Sequence, residues 1–457
     1  MTEEATRDAP ISAPQLLDSL KDNTASHVRL ELLSTTNLAE IQAAIEVNTS
    51  LQHAELLLDA SCDKRTIQDM GSLLRSISSR PNLRQMALKS NLADDEQLSP
   101  RYALPMTTLV AVLERASGLQ ILHLGDVQLS GNTKDFASLE GVIRNHSSLH
   151  ELSCTCWLSE QTRMAVGLSI DPLLRAITAS RSLQSLSFQP SFFGGDLTNV
   201  TLGMLCYVPT LESINISKCH IPDEGMIAMA TAMQSNKILR ELQVTCRLEE
   251  PGCLALAQCL RQNASLEILS IHNTYSNIHI ESTNIDIDIT KSGTSGDTED
   301  DSDETTVDDD HYLPIALTLQ QSNRTLQELT MHGTRLCKSS QDAFVNTLKD
   351  NYSLMKVSLL GLIDSLQKKI EMYCRLNRAG RRNLMETGRA APRQRWVETL
   401  TQVAGDLDCL FYLLSTKPSL CDLENMTMDD DPPTLYKRRM ESEDTTSDSS
   451  KKKPRSA

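Results

Sequence analysis

At 457 residues the chain is long enough for a large core, but aromatic residues are only 4% of it, so Leu, Ile, Ala and Met must do the packing. Asp and Glu outnumber Lys and Arg by 60 to 44, for a formal net charge of −16 that is mostly local to one acidic block, and the residues expected between the strand anchors hold no basic stripe for nucleic acid. The acidic start Met1–Glu4 is followed by no apolar leader, and no run of about 18 apolar residues occurs, so neither a secretory signal nor a membrane span is expected and the protein should be soluble and intracellular.

Residues 1–13 carry Pro10 and charges without periodicity and are expected to be a loose tail. Alternating Val28, Leu30 and Leu32, the helical text Leu38–Ile45 and the strand-like Leu51, Ala54 and Leu56 follow as two degenerate units. Apolar anchors then recur at Leu83, Leu119, Leu149 and Leu183. The pattern is cleanest in Leu211-Glu-Ser-Ile214-Asn-Ile216, Leu239-Arg-Glu-Leu242-Gln-Val244 and Leu266-Glu-Ile-Leu269-Ser-Ile271, where the anchors stand 28 and 27 residues apart, and it returns at Leu326 and Leu354. Such a period means a solenoid, because one strand-plus-helix unit cannot bury its own apolar face and needs its neighbours'.

Within a unit the anchors point inward from a short parallel strand, and the residues between them face the opposite surface of the sheet. Cys253, Leu256, Ala257 and Leu260 recur at three- and four-residue steps and predict a helix lying on the back of the sheet. Asn stands three positions before the first anchor at Asn48, Asn236, Asn263, Asn323 and Asn351, where a left-handed residue is expected to release the chain from the helix. Four of these, Asn48, Asn263, Asn323 and Asn351, also match glycosylation acceptors, as a by-product of the repeat.

The segment Ile221-Pro-Asp-Glu-Gly225, a helix, Asn236 and then Leu239-Arg-Glu-Leu242 resembles the ribonuclease-inhibitor type of leucine-rich repeat. The likeness spans roughly residues 15–365 and implies an α/β solenoid: a right-handed horseshoe with parallel strands on the concave face and helices on the convex face. Members of that class share a shape, not an activity.

The interval from Leu266 to Leu326 is 60 residues, one period plus about 32 more, and the surplus falls on Glu281 to Asp310, where twelve Asp or Glu face a single Lys291. This acidic block, bounded at 280–311, supplies −11 of the −16 net charge and is expected to be disordered. Shorter surpluses between Leu83 and Leu119 and between Leu149 and Leu183 also fall after a strand and before a helix, so the long loops share one edge. The solenoid is therefore expected over 14–365.

Residues 366–425 change to a different helical text. Ile370 to Arg382, Trp396-Val397 and Leu410 to Cys421 resemble a C-terminal segment associated with leucine-rich-repeat proteins of diatoms. Trp396, Leu400, Leu407, Leu410, Phe411 and Leu414 are expected to form an apolar helical pair capping the solenoid. The tail 426–457 ends in two basic clusters, Lys437, Arg438 and Arg439, then Lys451, Lys452, Lys453 and Arg455, which look like a bipartite import signal and imply a nuclear or nucleo-cytoplasmic location.

No P-loop, His-Glu-x-x-His or Gly-x-Ser-x-Gly pattern occurs, no cofactor or metal is expected, and the twelve Cys lack a C-x-x-C pair, so reduced thiols are expected. Cys154 and Cys156 read as small inward residues of one strand. The partner-binding candidates are Glu151, Glu241, Gln243 and Glu328 between the anchors and His123, His272 and His332 at equivalent positions. Trp157, Phe192 and Phe193, placed in neighbouring post-strand loops, read either as a hot spot or as packing within those loops. Arg375, Arg378, Arg381, Arg382, Arg389, Arg393 and Arg395 form a basic patch that is either a solvated surface or a seat for an anionic partner. The leading function is a non-enzymatic protein-protein interaction scaffold, with the acidic insert and basic tail for regulation or targeting and no membrane, nucleic acid or small-molecule substrate. A Ran-type GTPase-activating protein, which also joins this repeat to an acidic block, is the alternative; there the block follows the last repeat, whereas here it interrupts the array.

Overall fold

The structure, a computed structural model, describes residues 13–32, 37–58, 64–90, 103–158, 171–188, 199–273, 310–333, 336–360, 362–385 and 393–417. The chain divides into two compact units, Met1–Gly388 and Arg389–Ala457.

The first unit opens with α1 (Ala13–Lys21), β1 (His27–Leu32), α2 (Leu38–Val47), β2 (His53–Leu58), α3 (Lys64–Ser78) and β3 (Gln85–Ser90). A two-residue β4 (Leu104–Pro105) precedes α4 (Met106–Arg115), β5 (Ile121–Ser130), α5 (Thr133–Asn145), β6 (Glu151–Leu158), α6 (Asp171–Ala179) and β7 (Ser185–Phe188). Next come α7 (Asn199–Leu205), β8 (Ser213–Ile221), α8 (Asp223–Met233), β9 (Glu241–Cys246), α9 (Glu250–Gln262) and β10 (Ile268–Asn273). The unit closes with α10 (Leu313–Gln321), β11 (Glu328–His332), α11 (Lys338–Asp350), β12 (Lys356–Leu359), α12 (Asp364–Arg378) and α13 (Arg381–Met385).

Eleven of the twelve strands lie side by side in sequence order, all parallel, with β4 paired off this path to the end of β5. A helix returns the chain between successive strands, so the sheet is covered on one face and open on the other. The anchors form continuous rows: Leu152, Leu186, Ile214, Leu242, Leu269, Leu329 and Val357 are in register across seven strands and all are buried. Against them pack Cys253, Leu256, Ala257 and Leu260 of α9, each also buried. At about 1.5 to 3 kcal/mol for each large side chain removed from water, these rows dominate the stability of the array. The acidic block falls on the undescribed residues 274–309 except at its end, where Asp310 and His311 begin a 3-10 turn, Asp310–Tyr312; β10 and β11 pair directly on either side of it, so the repeat phase is kept.

The asparagines before the anchors behave differently from expectation. Asn48, Asn263 and Asn351 have φ of −75°, −77° and −94° with extended ψ, not left-handed geometry, and Asn23 is the one non-glycine with positive φ among the described residues. Their reason is hydrogen bonding. Asn263 Nδ2 donates back to Met233 O (2.6 Å) and Asn236 O (3.0 Å), while its Oδ1 accepts from the N–H groups of Ser265 (2.9 Å) and Leu266 (2.8 Å). Asn48, Asn236, Asn323 and Asn351 repeat this arrangement, each donating to the carbonyl that ends the previous unit's helix or the turn after it. Asn323 reaches Leu260 O across the acidic block. His146 takes the position in an irregular unit and places Nε2 3.1 Å from Ala116 O. Asn48, Asn263, Asn323 and Asn351 are buried, so no glycan fits on them in the folded chain.

One helix start is capped from the neighbouring unit. Asp223, first residue of α8, accepts from the N–H groups of Glu249 (2.8 Å) and Gly252 (3.0 Å) at the start of α9, whose own N-cap residue makes no side-chain cap bond. A Cβ at position 252 would stand 2.0 Å from Asp223 Oδ1, so only glycine fits there. Burial pushes the Asp223 carboxyl up, and the two N–H donors act against that rise.

At its C-terminal end the array is closed by α12 and α13. Asn377 Nδ2 donates to Asn351 O (3.1 Å) and Leu354 O (2.7 Å), extending the asparagine series into a helix that no strand follows. Gly380, with φ of 91°, makes the corner that a side chain would strain. Beyond it Arg381 is fully buried, donates to Leu348 O (2.5 Å), and lies 4.8 Å and 5.1 Å from the ring centres of Tyr352 and Tyr373. Arg381 therefore does not belong to an exposed basic patch.

The second unit contains α14 (Arg393–Gln402) and α15 (Leu407–Thr416), so the helical text of 366–425 is shared between the two units. Trp396 is buried, with the Lys417 ammonium 5.1 Å from its ring centre. The expected apolar pairing is altered on α15, where Cys409 and Leu413 are the buried residues while Leu407 and Phe411 are 81% and 76% exposed. Residues two apart on a helix point to opposite sides, and the buried side is the Cys409–Leu413 line.

Candidate functional site

The open face of the sheet displays the residues between the anchors, and the strand register sorts them into rows. One row runs Ser153, Ser187, Asn215, Gln243, Ser270, Thr330 and Ser358 across β6 to β12. At about 4.8 Å per strand this uncharged polar band is about 29 Å long. Beside it lie Glu151, Ser185, Ser213, Glu241, Ile268, Glu328 and Lys356. Glu241 is held within the face: Oε2 accepts from Ser213 Oγ (3.1 Å) and Oε1 from Gln243 Nε2 (2.6 Å).

Charge on the face is mostly paired between strands. Glu55 sits between Arg29 (3.8 Å) and Lys89 (2.7 Å), Glu328 meets Lys356 (3.0 Å), and His123 Nε2 lies 3.8 Å from Glu151. Such exposed pairs contribute about 0 to 1 kcal/mol each, so they shape the surface more than they stabilise it. His272 and His332 meet across β10 and β11 with ring centres 4.9 Å apart, and His27 stacks on His53 at 4.1 Å. Burial, reinforced by the neighbouring imidazole, lowers the pKa of His272 and of His53, which keeps both neutral near pH 7. His123 is in register with Ser153, but no hydrogen bond joins them, as nucleophilic activation of the hydroxyl would need.

Thiol chemistry is suppressed by burial. It pushes Cys246 and Cys259 up to about 12 and Cys374 to about 11, and moves Cys206 and Cys253 in the same direction. The eight cysteines with described side chains, Cys154 among them, are buried thiols outside any disulfide.

The structure thus brings Glu151, Glu241, Gln243, Glu328, His123, His272 and His332 onto one surface. Trp157 is not in a loop: β6 continues through it and pairs it with Gln128 of β5. Phe192 and Phe193, Arg389, and the tail residues Lys437, Arg438, Arg439, Lys451, Lys452, Lys453 and Arg455 lie outside the described residues, as does the side chain of Arg393. Arg375, Arg378 and Arg382 are exposed on α12 and α13, and Arg395 is exposed on α14 with Glu398 at 3.8 Å.

A second feature, missed in the sequence, is a trough of about 590 Å³ along the edge where the helices lead into the strands, lined by Lys237, Arg240, Glu267, Arg324, Arg378 and Arg382 among others. Its signal was present. Lys237, Arg324 and Arg378 each follow an asparagine of the hydrogen-bonded series, Asn236, Asn323 and Asn377.

The repeated anchors, the parallel sheet in sequence order and the helices on one face define a leucine-rich-repeat solenoid. No known family model matches the chain, and no curated protein matches it. Among solved structures it is similar to the leiomodin-1 actin-binding site 2, at 14% identity and a TM-score of 0.27 over 47% of this chain and 92% of that one. It is also similar to an internalin from Listeria monocytogenes, at 12% identity and a TM-score of 0.34 over 75% of this chain and 82% of that one. At these scores the fold assignment rests on the chain's own strand order and register.

Proposed function

We propose that the protein is a non-enzymatic scaffold of the ribonuclease-inhibitor type that holds a protein partner on the open face of its sheet. The observation that supports this most directly is the uncharged band from Ser153 to Ser358, a continuous row of hydroxyl and amide groups with paired charges beside it. A surface of this length, rich in donors and acceptors, suits an extended protein contact better than a compact small molecule. The acidic block at 280–311 and the basic clusters at 437–439 and 451–455 serve regulation or nuclear targeting in this reading. No described helix is long and apolar enough to cross a membrane.

The test is proximity labelling in cells with the intact chain, followed by the same labelling with Gln243→Arg and Ser270→Arg together. Loss of a discrete set of labelled proteins, with unchanged thermal unfolding, supports the sheet face as the seat; an unchanged set removes it. The alternative activity is decided by GTP hydrolysis on a Ran-type GTPase with and without the protein, where no acceleration is expected.

A further inference from the structure

We propose that the trough along the helix-to-strand edge binds an acidic segment of a partner protein in extended conformation, a second contact that rests on the scaffold reading. The fold builds a cationic line here from residues far apart in sequence. Lys237, Arg324 and Arg378 each stand one residue after an asparagine of the series, Asn236, Asn323 and Asn377, and Arg240 and Arg382 flank them. The one carboxylate in the lining, Glu267, is engaged by Arg240 at 2.5 Å. Lys237 and Arg378 make no ion pair among the described residues.

The line follows the stacking direction. Three strand steps from β9 to β12, at about 4.8 Å each, give about 15 Å, and Arg378 and Arg382 lie one element further on. An extended peptide rises about 3.3 Å per residue with alternate side chains on one face, so about six residues span the trough and every second one turns toward the cations. Arginine holds a carboxylate with two parallel donors, which suits acidic side chains at alternate positions. A single-stranded nucleic acid fits less well, because it needs stacking platforms. Tyr352, the one aromatic ring in the lining, is half-buried and already has the Arg381 guanidinium 4.8 Å from its centre.

The test is fluorescence anisotropy with the full chain and a fluorescein-labelled ten-residue peptide of alternating Glu and Ser. Saturable, salt-sensitive binding is expected, weakened at least about tenfold by Arg378→Glu with Arg382→Glu. The milder pair Arg378→Gln with Arg382→Gln weakens it by a smaller factor and covers the case in which charge reversal disturbs the corner. Arg261→Glu with Lys349→Glu, the same charge change on the helix side, leaves it unchanged. The proposal is overturned if the control pair weakens binding equally, if the peptide does not saturate, or if oligothymidylate of equal charge binds as tightly. Gln243→Arg with Ser270→Arg leaves peptide binding intact, so the trough and the sheet face fail independently.

Discussion

Asn263→Ala measures what the buried asparagine series contributes. The substitution removes two donor contacts, to Met233 O and Asn236 O, and two acceptor contacts, from the N–H groups of Ser265 and Leu266. Asn236 O keeps a second donor in Ser265 Oγ at 3.1 Å and Met233 O keeps the Asn236 N–H at 3.1 Å, so two backbone groups, the N–H of Ser265 and of Leu266, lose their partner. At about 1 to 1.5 kcal/mol each after partial relaxation, the loss is about 2 to 3 kcal/mol, in the upper part of the usual range for a single substitution. Denaturant unfolding followed by far-UV circular dichroism gives the number; a loss below about 1 kcal/mol would refute the account. Asn263→Asp carries a sharper signature, because the carboxylate keeps the acceptor role but points an oxygen at Met233 O. Its folded-state pKa is then raised above the unfolded value of about 3.9, so stability is fully present below that pH and lost as pH rises through the folded value. Equal destabilisation at pH 4 and pH 7 would contradict this geometry.

Gly252→Ala should destabilise by about 2 to 4 kcal/mol in the same assay, since the new Cβ displaces Asp223 from two N–H groups, against a gain of about 1 kcal/mol in helix propensity. Burial lowers the pKa of His53, His146 and His272, so each contributes stability that is complete above the unfolded value of about 6.5 and is lost as pH falls through the depressed folded value. His146→Asn should keep the bond to Ala116 O and flatten part of that acid loss; an unchanged pH profile would exclude His146 as a contributor. Alkylation mapped by mass spectrometry should leave Cys206, Cys246, Cys253 and Cys259 unmodified until the chain unfolds, and prompt labelling of any would contradict their burial.

The strands and helices were legible because anchors such as Leu211, Leu239 and Leu266 encode a burial pattern that repeats in register. The asparagine positions were legible too, but not their cause: a residue type tolerant of left-handed geometry is equally a bifunctional hydrogen-bonding group, and only the φ values separate the two. Arg381 reads as one cation among several, and its burial depends on the tyrosines at 352 and 373 meeting over a corner that Gly380 makes. The trough escaped because Arg324 and Arg378 belong to what look like unrelated stretches of text, repeat and cap, until Asn377 shows that the cap begins by imitating a repeat. On α15 a helix apolar on more than one side does not say which side is covered: Cys409 and Leu413 are buried, and Leu407 and Phe411 fall on the other side.

The asparagine series also has a direction. Each asparagine side chain donates toward the amino terminus, into a carbonyl of the unit made before it. A buried amide N–H without a partner is rarely tolerated, whereas a carbonyl left open is the lesser penalty. Within this series, removing units from the amino-terminal side therefore strands side-chain donors, and removing them from the carboxyl-terminal side strands acceptors. A chain emerging from the ribosome meets the favourable case at every step, since each new unit arrives with its donor and finds acceptors already in place. Pulled by its ends, the same array should peel from the carboxyl terminus first.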